Sequence, residues 1–289
     1  MQIGITGITG LIGRHVAALA RQRGHTVVGY SRSSPAHRRL IPGVPPDLSG
    51  CDAVINLAGE SVAGLWTSAR RRSIRDSRIL GTRAITEAMR RTSPPPRVLV
   101  SASAIGFYGN TGDTPADERT ALPGAGFLAK VCESWEQEAL RSRESGTRVV
   151  LLRTGIVLSP EGGALAAMLP IFRLGLGGKL GNGRQWMSWI HMEDEAALVL
   201  AAVENESIHG PLNATAPNPS RNADFTRALA QALHRPAFFT VPAAALRVIL
   251  GGFSSELLES RRILPAAASA AGYTFRFSNL EPALKDLMK

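Results

Sequence analysis

Three glycines near the start of the chain have the spacing that binding of a pyrophosphate requires. Gly7, Gly10 and Gly13 follow a short apolar stretch at 2–6 and overlap the start of a helical pattern. The first glycine permits a tight turn, the second lets the backbone approach a pyrophosphate, and the third lets the helix pack closely on the strand. The free N–H groups and positive dipole end of that helix attract phosphates. The spacing therefore predicts a dinucleotide site with contacts at Gly7, Thr9, Gly10, Leu11 and Ile12.

The end of the second predicted strand, at 26–30, indicates which dinucleotide binds. A site that prefers NAD has an aspartate or glutamate there, about 20 residues after the glycines, to bind the ribose 2′-hydroxyl. This chain has Ser31 and Arg32 instead. An arginine can pair with a 2′-phosphate, and a serine hydroxyl can assist it. We therefore predict NADP(H) as the cofactor, the alternative being that Arg32 is an ordinary solvated surface arginine.

Strands and helices alternate along the first part of the chain. Apolar stretches at 51–57, 97–101 and 148–153 predict strands, and helical patterns at 70–91 and 127–143 separate them. This alternation is typical of an α/β fold with a Rossmann-type, doubly wound parallel sheet, in which ligands bind beyond the carboxyl ends of the strands. The loops after those strands add predicted cofactor contacts at Leu57, Ala58, Gly59, Glu60, Ser101 and Gly155.

The composition changes after Ser159, where a glycine-rich segment begins. We predict that residues 1–160 form the NADP-binding Rossmann domain, completed by 185–212, with a predicted strand at 185–191. Residues 161–184 and 213–289 are expected to form a small C-terminal lobe on the substrate side.

Charge and composition narrow the class of partner. The chain has 289 residues and a net charge of +10, from 33 Lys and Arg against 23 Asp and Glu. The positive residues are scattered, which favours an anionic small molecule over nucleic acid. The two cysteines lack the spacing of metal ligands, so no metal is predicted. Without a signal peptide or a membrane-spanning apolar run, we expect a cytoplasmic monomer or homodimer without a membrane partner.

Longer motifs resemble the extended short-chain dehydrogenase/reductase group, the NAD(P)-dependent epimerase/dehydratase superfamily. Its landmarks match the glycine-rich start and residues 56–59, 101–109, 153–157 and 189–194. A narrower resemblance, to the poorly characterised branch called epimerase family proteins, covers nearly the whole chain, including 127–136 and 177–194. The resemblance implies an NADP-dependent oxidoreductase or a nucleotide-sugar epimerase-like isomerase.

The chain departs from that superfamily where proton transfer is expected. Those enzymes use Tyr-x-x-x-Lys on the helix after the serine strand, with the lysine lowering the tyrosine pKa so that the tyrosine moves a proton. Phe127 and Val131 stand at these positions, and the adjacent Lys130 is rotated by about 100° around the helix. Phenylalanine cannot exchange a proton, so the usual mechanism lacks its acid/base group.

Three interpretations therefore stay open. In the first, Tyr108 replaces the missing tyrosine and Ser103 binds a substrate oxygen, although either residue could be structural. In the second, the protein binds NADP(H) without turning it over, as a sensor or scaffold. In the third, other groups support a lyase or isomerase step, and the nucleotide has a structural role. Arg78 is expected either to reach an anion or to brace its helix, and Asp194 is expected to cap a helix.

Overall fold

A parallel sheet lies at the centre of the protein. The computed structural model describes residues 1–120 and 123–289, and the strands within these ranges are β1 (Gln2–Thr6), β2 (Thr26–Ser31), β3 (Arg38–Arg39), β4 (Ala53–Asn56), β5 (Val98–Ala104), β6 (Arg148–Thr154), β7 (Ile156–Leu158), β8 (Gly178–Leu180), β9 (Trp186–Met187), β10 (Trp189–His191), β11 (Gly210–Ala214), β12 (Ser220–Arg221) and β13 (Phe239–Val241). The helices are α1 (Leu11–Gln22), α2 (Ser68–Arg91), α3 (Phe127–Leu140), α4 (Gly163–Arg173), α5 (Met192–Glu204), α6 (Asn222–Ala232), α7 (Ala243–Leu250), α8 (Ser254–Leu258), α9 (Ala266–Ala270) and α10 (Leu280–Leu287).

Seven strands form one sheet in the order β11-β6-β5-β4-β1-β2-β3, and every neighbouring pair is parallel. From β1 the chain moves outward through β2 and β3, then returns to the other side of β1 and continues from β4 to β11. The order therefore reverses between β1 and β4, which is where doubly wound sheets bind ligands. This arrangement confirms the predicted Rossmann-type α/β fold.

Helices cover both faces of the sheet because its strands are apolar on both sides. On one face Ile3 and Ile5 of β1 pack with Val16 of α1 and Leu198 of α5. On the other face Val54 of β4 packs with side chains of α2 and α3, including Ile85, Met89 and Ala139. Both layers hold the loops at the carboxyl edge of the sheet in fixed positions.

A further apolar cluster joins α4 to the C-terminal part of the chain. Leu165 and Phe172 of α4 pack with Trp189 of β10, Phe225 of α6 and Leu284 of α10. Within the described ranges, this region also has three two-stranded sheets, which pair β10 with β7, β12 with β9, and β13 with β8. None of the helices that the structure describes is both long and apolar enough to span a bilayer.

The single strand predicted at 185–191 is wrong, because two short strands, β9 and β10, replace it. Ser188 separates them, and its hydroxyl donates to the Arg261 carbonyl at 2.8 Å and accepts the Ile263 N–H at 2.8 Å. The strands then take different partners, since β9 pairs antiparallel with β12 and β10 pairs parallel with β7. The C-terminal segment therefore breaks the strand at this serine.

Candidate functional site

A cleft of about 460 Å³ opens at the point where the strand order reverses. The turn after β1, the end of β2, the loop after β4 and one side of α2 form its walls. Most of the predicted cofactor contacts come together here, and the cleft is lined by Gly7, Thr9, Gly10, Ser31, Arg32, Leu57, Ala58, Gly59 and Glu60.

The glycine turn has the close backbone packing that a phosphate cradle requires. Gly7 has a φ of +69°, and a Cβ added there would overlap the backbone of Leu57 and Ala58. A Cβ on Gly13 would overlap the Gly7 carbonyl oxygen. Gly10 is the N-cap residue of α1, and no described side chain caps the helix there, so the first N–H groups of α1 lack a side-chain acceptor. The turn therefore fits the pyrophosphate of a dinucleotide.

Arg32 extends into this cleft from the end of β2. Its side chain is 61% exposed, and its guanidinium lies 3.7 Å from the Glu60 carboxylate. Glu60 also pairs with Arg70 at 3.2 Å. The Ser31 hydroxyl is buried and accepts the backbone N–H groups of Ser33 and Ser34. Ser31 therefore orders the turn, while the Arg32 guanidinium stays accessible to an anion.

Helix α2 contributes cleft residues that are not among the predicted contacts, namely Ser73, Asp76, Ser77, Leu80, Gly81, Ala84 and Ile85. Ser77 accepts the N–H of Glu60 at 3.1 Å, and Arg78 donates to the Glu60 carbonyl at 2.9 Å. Arg78 also donates to the Ile74 carbonyl, and its guanidinium lies 5.1 Å from the Trp135 ring. Of the two roles considered for Arg78, the contacts show the brace, and it holds the loop after β4 against α2.

Four predicted contacts lie outside the cleft lining. The Leu11 side chain packs against Gly162 and Gly163. Ile12 packs against the apolar cluster between α1 and the sheet. Ser101 is fully buried. A Cβ on Gly155 would overlap the Ser188 carbonyl oxygen, so backbone packing alone explains that glycine. The roles of Leu11, Ile12, Ser101 and Gly155 in cofactor binding stay predictions.

The strand that holds Ser101 and Ser103 is longer than the predicted 97–101. Strand β5 continues to Ala104 because it pairs with β6 over the full length of both strands, from Val98 with Arg148 to Ala104 with Thr154. Both serines therefore lie inside the strand and not in a loop beyond it. Tyr108 follows in a short 3-10 helix at Ile105–Tyr108.

Ser103 and Tyr108 belong to a buried polar cluster, defined here as Ser103, Tyr108, Glu136, Arg153 and Asn213. Ser103 donates to the Glu136 carboxylate at 2.7 Å, and Arg153 donates to both carboxylate oxygens at 2.8 Å. The Tyr108 hydroxyl accepts from Arg153 at 3.0 Å and donates to the Asn213 side-chain oxygen at 2.9 Å. The cluster connects α3 with strands β5, β6 and β11.

The surroundings of Tyr108 favour its protonated form. Burial raises the pKa of the phenol above its ordinary value, and the nearby Arg153 guanidinium offsets only part of that effect. A neutral phenol can give a proton to an oxygen on which negative charge develops. In the described state, however, the Tyr108 proton is directed at Asn213 and the Ser103 proton at Glu136.

Glu136 and Arg153 are not among the predicted site residues. Arg153 ends the apolar stretch RVVLLR, and Glu136 ends the stretch FLAKVCESWE. A charged side chain in an apolar strand is buried when the chain folds, and a buried charge requires a partner. Arg153 in its apolar stretch is therefore the feature of the sequence that could have indicated a buried ion pair. The sequence does not show which carboxylate pairs with Arg153, because Glu136 and Arg153 come together only in the folded chain.

Apolar side chains occupy the positions of the missing Tyr-x-x-x-Lys pair. The Phe127 ring packs edge-on against Trp66, with centroids 5.2 Å apart, and Val131 is buried. Lys130 is exposed, in agreement with its predicted rotation to another face of the helix. Neither Phe127 nor Val131 can move a proton.

The expected cap at Asp194 is wrong. His191 caps α5 instead, because its ring Nδ1 accepts the N–H of Glu193 at 3.1 Å. The Asp194 carboxylate accepts the backbone N–H groups of Arg276 and Phe277 at 2.8 and 2.9 Å. It therefore fixes the C-terminal segment to α5. No group of three or more His, Cys, Asp or Glu residues suited to a metal ion is found in 1–120 and 123–289.

The chain matches known families over most of its length. Residues 3–213 match the model of the NAD dependent epimerase/dehydratase family, and residues 241–287 match a domain of unknown function, DUF1731. An epimerase family protein of Mycobacterium bovis is 40% identical over 98% of this chain and 96% of its own length. A chloroplastic epimerase family protein SDR39U1 homolog of Arabidopsis thaliana is 35% identical over 100% of this chain and 87% of its own.

A solved structure of another epimerase family protein is similar to this chain over its whole length. The crystal structure of human epimerase family protein SDR39U1 with NADPH superposes with a TM-score of 0.91 and 33% identity, and the match covers 100% of this chain and 99% of that one. The family resemblance predicted from the motifs is thereby confirmed.

Proposed function

Because the chain belongs to the NAD dependent epimerase/dehydratase family, we propose that it binds NADP(H) and uses it on a small anionic or sugar-like substrate. The observation that supports this proposal most directly is the accessible Arg32 guanidinium in the cleft, at the end of a strand without a terminal carboxylate. A guanidinium pairs with a 2′-phosphate, whereas NAD sites have an acidic residue at that position. The human relative was crystallised with NADPH, which supports the same cofactor.

The proposed cofactor site uses the backbone of the glycine turn and the loop after β4. The N–H groups at the start of α1 would bind the pyrophosphate, and Arg32 would bind the 2′-phosphate. We propose that residues 1–160 with 185–212 hold the cofactor. Residues 161–184 and 213–289 would then form the substrate side.

When bound, NADPH would supply a hydride, and the protein must provide the accompanying proton. Tyr108 is the proposed donor, because its buried phenol is protonated and Arg153 and Asn213 hold the hydroxyl in place. Ser103 would donate a hydrogen bond to the same substrate oxygen. Both hydroxyls must first leave their internal acceptors, Asn213 and Glu136. This rearrangement would make binding of the correct substrate a condition for proton transfer.

A second candidate function has a specific observation in its favour. The Ser103 and Tyr108 hydroxyls donate to acceptors inside the protein. Phe127 stands where enzymes of the wider superfamily have a proton-transferring tyrosine. A protein that binds NADP(H) as a sensor or scaffold needs no proton donor. The closed polar cluster would then serve only to stabilise the fold.

Titration of the purified protein with NADPH, NADP, NADH and NAD tests the cofactor proposal. We expect tight binding of NADPH, and we expect Arg32→Ala to weaken it by about 10- to 100-fold, the loss of one to two charge-assisted hydrogen bonds. NADH affinity should change by less than about twofold, because NADH has no 2′-phosphate for the guanidinium. Arg38→Ala, on β3 and outside the cleft lining, is the matched control. Failure of all four nucleotides to bind would overturn the proposal.

A further inference from the structure

An exposed apolar face lies on the C-terminal part of the protein, far along the chain from the cofactor turn. It is formed by the end of α4 with the residues after it and by the chain leading into β13. Phe238 is 89% exposed and Leu174 is 74% exposed, and the face as a whole comprises Ile171, Leu174, Leu176, Phe238 and Phe239. Monomeric proteins rarely expose so many large apolar side chains together unless the patch binds something.

Direct contacts between the two segments make this face continuous. Arg235 donates to the Arg173 carbonyl at 3.0 Å. Strand β13 pairs with β8 from Phe239 and Gly178 onward. Helix α7 follows β13 along the chain and has two further exposed apolar side chains, Val248 and Ile249.

The two stretches of chain that build the face contain basic residues and no acidic residues. The sequence has no Asp or Glu from 162 to 192 or from 225 to 255, which are the stretches that build it. Arg173, Arg235 and Arg247 are exposed within these stretches. An apolar surface with basic residues at its edge is complementary to an apolar layer that carries negative charge.

We propose that this face docks onto the surface of a bilayer containing anionic lipids, with Phe238 and Leu174 inserting among the acyl chains near the headgroups. Arginines at the edge would then contact lipid phosphates. This peripheral contact requires no membrane-spanning helix. It differs from the expectation of no membrane partner, which rested on the sequence alone, because residues distant in the sequence build this face.

The observations favour a lipid surface over another protein. In a symmetric pair of chains, the same arginines would meet across the interface without carboxylates on the face to neutralise them. An acidic protein would need fitted pockets for side chains as exposed as Phe238 and Leu174, whereas lipid tails conform to any protruding side chain.

Co-sedimentation with vesicles tests the proposal. The full chain is mixed with vesicles of phosphatidylcholine alone, or of phosphatidylcholine and phosphatidylglycerol in roughly equal parts, at about 0.1 M salt. We expect partitioning onto the anionic vesicles that is at least about tenfold stronger than onto the neutral ones, since each basic residue near the surface adds attraction. No binding of the wild-type chain to anionic vesicles would overturn the proposal.

Paired variants identify the contact surface. Leu174→Ser combined with Phe238→Ser should reduce partitioning by at least about tenfold, because two apolar side chains no longer insert. Arg173→Glu combined with Arg247→Glu should remove the preference for anionic vesicles. Val44→Ser and Arg97→Glu change exposed residues of the same types outside the face, and they should bind like the wild type.

Two further results would also overturn the proposal. One is unchanged partitioning of the paired variants when their urea unfolding midpoints match the wild type. The other is a wild-type dimer in sedimentation velocity that Phe238→Ser converts to a monomer, which would assign the face to a second copy of the chain. The proposal does not depend on the cofactor, so failure of nucleotide titration leaves this test intact.

Discussion

Arg153 and Glu136 form a bidentate ion pair inside the protein, with both hydrogen bonds at 2.8 Å. Each side chain is less than a tenth exposed. Arg153 lies on β6 and Glu136 on α3, so the pair ties a helix to the sheet. Ser103 donates to the Glu136 carboxylate and Tyr108 accepts from the Arg153 guanidinium, so each charged group has a further hydrogen-bond partner.

Removing one charge of this pair should be costly. In Glu136→Gln the guanidinium stays buried without a counter-charge, so we expect the free energy of unfolding to fall by about 3–5 kcal/mol. The double variant Glu136→Leu with Arg153→Met removes both charges and should lose less. Urea unfolding at neutral pH gives the comparison. Glu87→Gln, which breaks the exposed Glu87–Arg91 pair, should cost less than about 1 kcal/mol. An equal cost for Glu136→Gln and Glu87→Gln would contradict this account.

Tyr108→Phe separates the two candidate functions. The change removes the hydrogen bonds of the Tyr108 hydroxyl with Asn213 and Arg153. We therefore expect the free energy of unfolding to fall by about 1–3 kcal/mol whichever function is correct. If Tyr108 is the proton donor, NADPH oxidation by a substrate found in a screen should fall by at least about 100-fold while NADPH affinity is unchanged. A sensor would keep its NADPH affinity and show no substrate-dependent oxidation before or after the change. Full activity of the variant would exclude Tyr108 as the donor.

The third glycine of the turn should tolerate no side chain. In Gly13→Ala the new Cβ overlaps the Gly7 carbonyl oxygen, so the turn must move, and we expect a loss of about 1–3 kcal/mol in stability together with weaker NADPH binding. Gly81→Ala is the matched control on α2, where a Cβ meets open space and should stabilise the helix by about 0.5–1 kcal/mol. Urea unfolding without nucleotide measures both. Equal effects of the two changes would show that the turn is not tightly packed.

The residues of the site that could be predicted from the sequence are those whose positions depend only on their neighbours along the chain. Gly7, Gly10 and Arg32 follow directly from a strand-turn-helix pattern, and the cleft includes all three. The polar cluster could not be predicted in the same way, because its hydrogen bonds join residues far apart in the chain, such as Tyr108 and Asn213. The same holds for the length of β5, which pairing with β6 determines.

The pKa of Glu195 should make stability depend on pH. This side chain is fully buried, and burial raises its pKa from 4.5 to about 8, although Thr154 donates to one carboxylate oxygen at 2.9 Å. The folded protein therefore holds a proton that the unfolded chain releases. The contribution of this bound proton to the free energy of unfolding is fully present below pH 4.5 and is lost progressively as the pH rises to about 8.

Glu195→Gln removes this proton linkage while keeping a neutral side chain of similar shape. Between about pH 5 and 8 the wild type should lose stability relative to the variant by up to about 1.4 kcal/mol per pH unit. Urea unfolding of both proteins across this range measures the difference. Parallel curves would show that Glu195 is ionised in the folded protein.

Glu60 should limit the affinity for NADPH. Its carboxylate lies 3.7 Å from the Arg32 guanidinium and therefore competes with a 2′-phosphate for the same positive charge. It would also repel the phosphate directly. The same carboxylate can accept a hydrogen bond from a ribose 2′-hydroxyl, which NADH has and NADPH lacks. Glu60→Gln should therefore tighten NADPH binding by about 3- to 10-fold, as a partly screened charge interaction of roughly 1 kcal/mol allows.

NADH binding should weaken or stay unchanged in Glu60→Gln, so the ratio of the two affinities should shift toward NADPH. Fluorescence titration at two salt concentrations measures both, and the gain for NADPH should shrink at high salt because exposed charges are screened. Arg70 pairs with the other Glu60 oxygen at 3.2 Å and would be released toward the cleft by the same change. Weaker NADPH binding in the variant would mean that Glu60 instead holds Arg32 in the orientation that the phosphate needs.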